Sequence, residues 1–500
     1  MSSFKLNLTD RQRETTILIV LFLIGLLSRG LFASRILYHW DSVNFAFALE
    51  EFDVSKAQPH IPGYIIYVIF MRGVNIFFGD PQASMVGVSI LASALAIVQL
   101  YRVGKMMFGR RTGIWAALFL ASSPLYWFYG EIALPHALDA LLILISIELL
   151  FQIDKGDAQI VIFTAIWLGL VGGFRPQTEV FLMPLVLYAC RKIGWTSRIY
   201  AILALVITNL IWLIPLLLAT GGLQAYWNVF RHFYSSFNTT TSIISGGGLL
   251  GILRNLRKLS MYTLYGWGFA SLILIPAVVK IARSLLKTKS LHLDECWRFL
   301  GLWIVPSLLY YTFIHMGQQG LVFVYLPALL LITARALVNL DLTKAAVRLA
   351  LPGVLILGSS LIFLAGPAYP LGTDRLKLLT VDTIREHDRY YLDRIEAVRN
   401  QFDPKTTILV ASEWRFLQYY LPEYVYQPYE IYARGEDRAG QPISTSSTTV
   451  LCPSDEDRTA AEGVCPIVLF DKVLDPWVTD AERIGRLSMQ AGSEMLYLNL

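Results

Sequence analysis

The segment Tyr38-His39-Trp40-Asp41-Ser42 puts a carboxylate just beyond the first apolar stretch of this 500-residue chain. Glu50, Glu51 and Asp53 follow, and then Gln58-Pro59-His60-Ile61-Pro62-Gly63-Tyr64. Charged groups are costly at membrane depth and, where kept, face a cavity or a site. At the membrane edge they can serve a water-soluble group and a lipid headgroup together. A carboxylate so placed can take a proton from an acceptor hydroxyl. The reaction then needs cations or polarised donors to hold a departing anion.

Further polar residues recur on what the topology below makes the same side. Glu131 follows Tyr126-Trp127-Phe128-Tyr129, which reads as an interfacial aromatic belt. His136 and Asp139 open the next helix, and Asp139 reads as a buried partner of an arginine. Arg175, in Gly172-Gly173-Phe174-Arg175-Pro176-Gln177, sits at a break between two short helices, and His315-Met316-Gly317-Gln318 forms a tight turn. Residues 221–259 read as a long loop carrying Arg231, His232, Arg254, Arg257 and Lys258, the last three on an interfacial helix facing lipid phosphates, and the Gly246–Gly248 run would let part of the loop move as a lid. Asp41 is the candidate base. Arg175 and His315 are the first candidates for holding an anion, with Arg231 and His60 behind them.

Composition sets the elements that must position these groups. Of all residues 55% are hydrophobic and 16% charged, and the mean hydropathy is +0.52. That excludes an ordinary soluble domain. Apolar runs long enough to cross about 30 Å of hydrocarbon are expected near 15–35, 83–101, 112–130, 133–151, 159–173, 177–190, 199–219, 260–280, 299–314, 321–339 and 349–368. The first has no small-residue cleavage site after it and reads as a retained helix rather than a signal peptide. Segment 63–79 is short and carries Arg72 and Asn75, so it reads as an interfacial helix. With that assignment Arg102, Lys105, Arg110, Arg111, Arg191, Lys192 and Arg198 all fall in cytoplasmic loops, as the positive-inside rule asks. The active face and the C-terminal segment are then extracytoplasmic. Compact loops and the lack of a targeting signal favour a prokaryotic plasma membrane.

Charge divides the chain near residue 370. Residues 1–369 form a basic polytopic domain at +12, and 370–500 form an acidic segment at −7. In the latter, helices are expected at Val381–Asn400, Glu413–Tyr420 and Asp480–Gln490, and strands at Thr407–Ala411, Thr448–Cys452, Pro466–Phe470 and Met495–Leu500. Such alternation predicts a small α/β domain. Cys452 and Cys465 both fall there, where an oxidising compartment permits a bridge or two separate thiols.

Taken together, His39-Trp40-Asp41-Ser42, Gln58-Pro59-His60-Ile61-Pro62-Gly63-Tyr64, Phe108-Gly109-Arg110-Arg111, Gly130-Glu131-Ile132-Ala133-Leu134-Pro135, Gly173-Phe174-Arg175-Pro176-Gln177 and His315-Met316-Gly317-Gln318 resemble a GT-C fold glycosyltransferase. The family is the protein O-mannosyltransferase and aminoarabinose transferase superfamily, and the likeness runs over about residues 15–340. The resemblance implies an all-α polytopic membrane domain with about eleven spans, followed by the small extracytoplasmic domain. It implies a polyprenyl-phosphate sugar as donor, Asp41 as general base and Glu131 as a second acid, and it adds Gln318 to the substrate-binding candidates. Many members have paired acids directly after the first helix, whereas this chain has Asp41-Ser42. That leaves Asp53 or Glu50 to supply the partner, and leaves a divalent metal ion open as a cofactor. Acceptors in keeping with the resemblance are a protein hydroxyl, a glycolipid or a growing glycan, among membrane lipids and without nucleic acid. The competing class is a transporter or flippase of lipid-linked saccharides. The break at Gly172–Gln177 favours it, and the clustering of acids at one membrane face opposes it.

Overall fold

A computed structural model describes residues 9–238, 241–276, 294–340, 345–366, 370–371, 376–429, 466–477, 484–489 and 493–499. Their contacts divide the chain into two units. The first holds Met1–Ser34 and Ala48–Ile384, and the second Arg35–Phe47 and Arg385–Leu500.

The first unit is helical. Helix α1 (Asp10–Gly30) opens with a capping box, in which Thr9 Oγ1 accepts from the Gln12 amide and the Gln12 side chain accepts from the Thr9 N–H. Helix α2 (Trp40–Glu50) carries Asp41 in its first turn. Helix α3 (Ile65–Phe78) has 14 residues, or about 21 Å at 1.5 Å per residue. It is shorter than the hydrocarbon core, at the place where the sequence predicts a non-spanning helix. Asp80 caps α4 (Pro81–Phe108) through its Oδ2, which accepts from the Ala83 amide at 2.7 Å.

One expected span, 112–130, is broken in two. Pro124 offers no N–H and keeps Ser123 extended, so α5 (Arg110–Ala121) stops and the short α6 (Pro124–Tyr129) begins under a Ser123 cap. Next come α7 (His136–Asp154), α8 (Val161–Phe174), α9 (Pro176–Ala189) and α10 (Trp195–Ala219). The expected loop at 221–259 is instead mostly helix, α11 (Leu223–Asn238) and α12 (Gly248–Trp267). Leu223, Tyr226, Trp227, Phe230, Phe233 and Tyr234 recur every three or four residues, which gives α11 one apolar face. Of this helix, Tyr226, Val229, Phe230, Phe233 and Tyr234 pack on a core of Val54, Ile61, Ile65, Trp212 and Leu216, while Leu223 and Trp227 stay exposed. The glycines expected to free a lid form the turn into α12, where the Gly247 amide donates to the Ser242 carbonyl at 2.8 Å. Helices α13 (Glu295–Phe313), α14 (Leu326–Val338) and α15 (Ala345–Ala365) complete the membrane domain.

Among the described residues, Pro81–Phe108, His136–Asp154, Trp195–Ala219, Gly248–Pro276 and Val347–Ala365 are long and apolar enough to cross a membrane. Helix α10 turns Ile199, Ile207, Ile211 and Leu218 outward, a surface suited to lipid. The protein is an integral membrane protein, mostly helical, with a small C-terminal sheet. The positive-inside assignment of its loops makes a direct prediction. In a background without native cysteines, a cysteine at exposed Gly109 should resist an impermeant thiol reagent applied from outside, and one at exposed Lys405 should react. Labelling of position 109 from outside would reverse the proposed sidedness.

The two-residue strands β1 (Pro370–Leu371) and β2 (Leu376–Lys377) pair antiparallel, and α16 (Val381–Gln401) follows them. Beyond it the second unit contains β3 (Ile408–Ala411), α17 (Trp414–Tyr420), β4 (Val425–Pro428), β5 (Pro466–Leu469), β6 (Ile484–Ser488) and β7 (Glu494–Asn499). The sheet order is β4-β3-β5-β7-β6, with β3 parallel to both neighbours and β7 antiparallel to both of its own. All four residues of β3 are buried, as befits a strand covered on both faces. Helix α16 is tied to the end of β5 through Arg394, whose Nε donates to the Phe470 carbonyl at 2.9 Å, and to α17 through the Tyr391 ring stacked on Phe416. The helix expected at Asp480–Gln490 is not formed by its described part. Residues 484–488 pair antiparallel with β7 instead, so their backbone groups are satisfied by a neighbouring strand. The predicted strand Thr448–Cys452 and the pairing of Cys452 with Cys465 lie outside the described residues. Cys190 and Cys296 are free thiols.

The ends of β3 and β5 bring two acids together. Asp471 Oδ2 accepts from the Ser412 and Glu413 amides at 2.7 and 2.8 Å. Burial, and then the Asp471 carboxylate, push Glu413 up to about 7. The folded unit therefore holds this proton where the unfolded chain has lost it, and folding gains most below the ordinary glutamate range of about 4.3. That gain, on the order of 3 kcal/mol, should fade as pH rises toward 7. Hydrogen exchange of β3 and β5 amides, corrected for its intrinsic pH dependence, should lose protection across this window. Glu413→Gln should flatten the dependence; an unchanged slope in that variant would assign it elsewhere.

Candidate active site

Arg175 is held at the junction of α8 and α9. Pro176 disfavours helical geometry at the residue before it, and Arg175 is extended, with φ −156° and ψ 101°. Gly173 lets the junction close, since a Cβ there would lie 2.5 Å from Ile66 Cγ1 and 2.8 Å from Trp212 Cγ. The guanidinium is consequently buried, at 7% exposure. Its Nη1 donates to Asp139 Oδ2 at 2.7 Å, and Thr178 Oγ1 donates to Asp139 Oδ1 at 2.7 Å. The buried acid at position 139 thus has the arginine partner that the sequence suggests.

His136 extends this cluster. Arg175 Nη1 approaches His136 Nδ1 at 3.5 Å, and His136 Nε2 meets Gln318 Oε1 at 2.8 Å. A neutral ring protonated on Nε2 satisfies both contacts. Gly320 makes room for the arrangement, because a Cβ there would fall 2.7 Å from the His136 ring and 2.8 Å from that of Tyr129. The phenols of Tyr64 and Tyr311 are within electrostatic reach of the guanidinium. Arg175 Nε is buried and has no hydrogen-bond partner among the described residues. An unsatisfied buried donor costs about 1–3 kcal/mol, more when charged. On a guanidinium it is a ready contact for an anionic oxygen.

Asp41 belongs to the second unit. His39 precedes it, and His39 Nδ1 accepts from the Asp41 amide at 3.0 Å, capping α2. The same nitrogen lies 3.5 Å from Asp41 Oδ2. A ring nitrogen that accepts from the amide carries no proton for the carboxylate, so this tautomer forms no ion pair at that contact. The Asp41 side chain is 20% exposed.

The other expected site residues are dispersed. Glu131 is fully buried, its Oε1 accepts from Trp127 Nε1 at 2.8 Å, and buried Arg29 supplies the facing positive charge. Asp53 caps a short 3-10 turn, its Oδ1 accepting from the Ser55 amide and hydroxyl at 2.9 and 2.6 Å. The His60 ring packs with those of Tyr64 and Phe233, and so borders the arginine cluster through Tyr64. His315 Nδ1 pairs with Thr241 Oγ1 at 3.1 Å. Arg231 is exposed on α11, above the Trp227 ring. The structure therefore gathers Arg175 and Gln318 into one cluster and sets Arg231 on an outer face. Thr178 and Tyr311 were not legible as members: each lies on another turn or helix, with no motif around it. Among the described residues no group of three or more His, Cys, Asp or Glu side chains could hold a metal ion.

Comparison with known proteins gives a consistent picture. Residues 60–218, which include His60, Glu131, His136, Asp139 and Arg175, match the model of a family described as dolichyl-phosphate-mannose-protein mannosyltransferase. No curated protein matches the sequence. Among solved structures, ArnT from Cupriavidus metallidurans bound to undecaprenyl phosphate superposes with a TM-score of 0.60 at 12% identity, covering 98% of this chain and 99% of that one. The apo state of the same protein gives 0.51 at 12% identity, covering 82% and 84%. The apo oligosaccharyltransferase of Archaeoglobus fulgidus gives 0.52 at 11% identity, covering 88% of this chain and 66% of its own. The chain therefore has the GT-C fold of membrane glycosyltransferases, with the mannosyltransferase family likeness carried by residues 60–218.

Proposed function

We propose that this protein transfers a sugar from a polyprenyl-phosphate carrier to an acceptor hydroxyl, with inversion at the anomeric carbon. The observation that carries this reading is the buried Arg175 guanidinium at the helix break, with Nε unsatisfied, inside the stretch that matches the mannosyltransferase family. A phosphate is already a weak base as a leaving group, so the reaction needs little general-acid help. It does need a cation to hold the departing phosphate, which is the role assigned to Arg175, with Gln318 and His60 beside it. It also needs a base for the acceptor proton, which is the role assigned to Asp41. One base and a single displacement give inversion. The bond formed joins the acceptor oxygen to the anomeric carbon, the bond broken joins that carbon to the phosphate oxygen, and the proton goes to Asp41.

Glu131 and Asp53 take supporting parts in this scheme. Glu131 balances Arg29 inside the helical unit, and Asp53 fixes the turn before His60. His315 and Arg231 contribute to anion binding only if substrate brings them in. The proposed active face is extracytoplasmic.

Native mass spectrometry of the purified protein tests the carrier. Undecaprenyl phosphate or a comparable polyprenyl phosphate should bind in one-to-one ratio and be displaced by its sugar-linked form. Retention of polyprenol and polyprenyl phosphate alike would remove the phosphate from recognition and overturn the proposed donor.

A further inference from the structure

We propose that the C-terminal unit is a clamp that positions the catalytic segment, with Tyr420 and Asp388 as its positioning residues. The inference rests on the reading of Asp41 as general base. Residues Arg35–Phe47 leave the helical unit and group with Arg385–Leu500. They are tied there on both sides of Asp41. Before it, the Arg35 amide donates to Asp388 Oδ2 at 2.8 Å, and the Leu37 amide donates to Tyr420 Oη at 2.9 Å. The Tyr38 ring lies 4.5 Å from that of His387, and Trp40 meets Trp414 edge to face at 5.2 Å. After it, Phe47 meets Tyr419 edge to face at 5.3 Å, with the Arg415 guanidinium 5.6 Å from the Phe47 ring. Ile36, Leu37 and Phe45 are at most 1% exposed.

The pattern is specific in a way that ordinary packing is not. Residues 33–39 form no helix or strand, so their amides have no ladder to join. Buried backbone donors must nonetheless be satisfied. Two of them are satisfied by side chains more than 350 residues away in sequence, one on α16 and one at the end of α17. Tyr420 is itself fixed, since its carbonyl accepts from Arg399 Nη2 at 2.7 Å. Anchoring on helices is what holds a reacting group to within a fraction of an ångström. A misplacement of about 1 Å can cost a hundredfold in rate. The C-terminal unit thus sets where the base stands, four residues after its Leu37 anchor.

The test is a double-variant cycle with steady-state kinetics on a polyprenyl-phosphate mannose donor, using the full-length purified protein. Tyr420→Phe keeps the ring and removes the accepting oxygen. It should lower kcat by about ten- to a hundredfold, leave the donor KM unchanged, and speed exchange of the Leu37 amide. In the Asp41→Asn background it should cost nothing further, because a displaced base and an absent one are equivalent. Asp388→Ala should behave likewise, while Asp388→Asn, whose amide oxygen still accepts, should stay near wild type; this pair decides the matter if Tyr420→Phe fails to fold. Wild-type kcat in Tyr420→Phe and Asp388→Ala, or losses that multiply with Asp41→Asn, would overturn the positioning role while the base reading stands. Full activity of Asp41→Asn would sink the base reading, and the clamp with it.

Discussion

Asp41→Asn should leave the fold and donor binding intact and lower sugar transfer by about 10²–10⁴-fold, the usual contribution of a positioned base. The substitution is nearly isosteric, and the amide that donates to His39 Nδ1 is in the backbone, so the cap on α2 survives. What is lost is the proton acceptor. The loss should appear in kcat, since donor affinity is assigned to other residues. Activity within a few fold of wild type would exclude Asp41 as the base. The second acids offer a control. Asp53→Asn should cost little, because its Oδ1 serves the Ser55 turn and an amide oxygen accepts equally well.

Arg175→Ala should weaken binding of undecaprenyl phosphate by roughly ten- to a hundredfold, as expected for the loss of a charge-assisted contact of about 1.5–3 kcal/mol. Binding of undecaprenol, which lacks the phosphate, should change much less. The same substitution strips buried Asp139 of its cation, and breaking a buried pair commonly costs about 3–5 kcal/mol of stability. Arg175→Lys separates the two effects. Its ammonium can keep Asp139 company, so the fold should hold, while the loss of the planar fork should leave phosphate affinity only partly restored. Calorimetric titration of both ligands against both variants gives the comparison. An equal loss for alcohol and phosphate would make Arg175 a structural residue.

The sequence made the membrane helices legible wherever a long apolar run ended at a clear signal. Asp80-Pro81 and Arg175-Pro176 are such signals, and α4, α8 and α9 start or stop there. It was less informative where polarity is local. Helix α11 and the first half of α12 fall in the stretch read as a long loop, because Arg231, His232, Arg254, Arg257 and Lys258 interrupt the apolar residues there; the end of α12 falls in the expected span 260–280. Strand β6 was read as helix because Asp480, Glu482 and Arg483 precede it; its pairing with β7 is a property of the fold and not of the segment. The site shows the same division. Arg175 and Asp139 stood out as charges in apolar surroundings, yet their pairing spans 36 positions and Gln318 reaches His136 across 182. The docking of Arg35–Phe47 on residues near 388 and 420 has no local signature at all, since two backbone amides and two distant side-chain oxygens define its hydrogen bonds.

The central claim is cleavage of the bond between a sugar and a polyprenyl phosphate. It is tested most directly by following free polyprenyl phosphate while the purified protein, in bilayer vesicles, is given polyprenyl-phosphate-linked hexoses and pentoses with candidate acceptors. The account predicts that at least one donor yields polyprenyl phosphate in step with glycosylated acceptor of inverted anomeric configuration, and that Asp41→Asn slows the release by about 10²–10⁴-fold. Intact donors that bind and cross the bilayer without any release of polyprenyl phosphate would contradict it, and would make the protein a carrier of lipid-linked sugars.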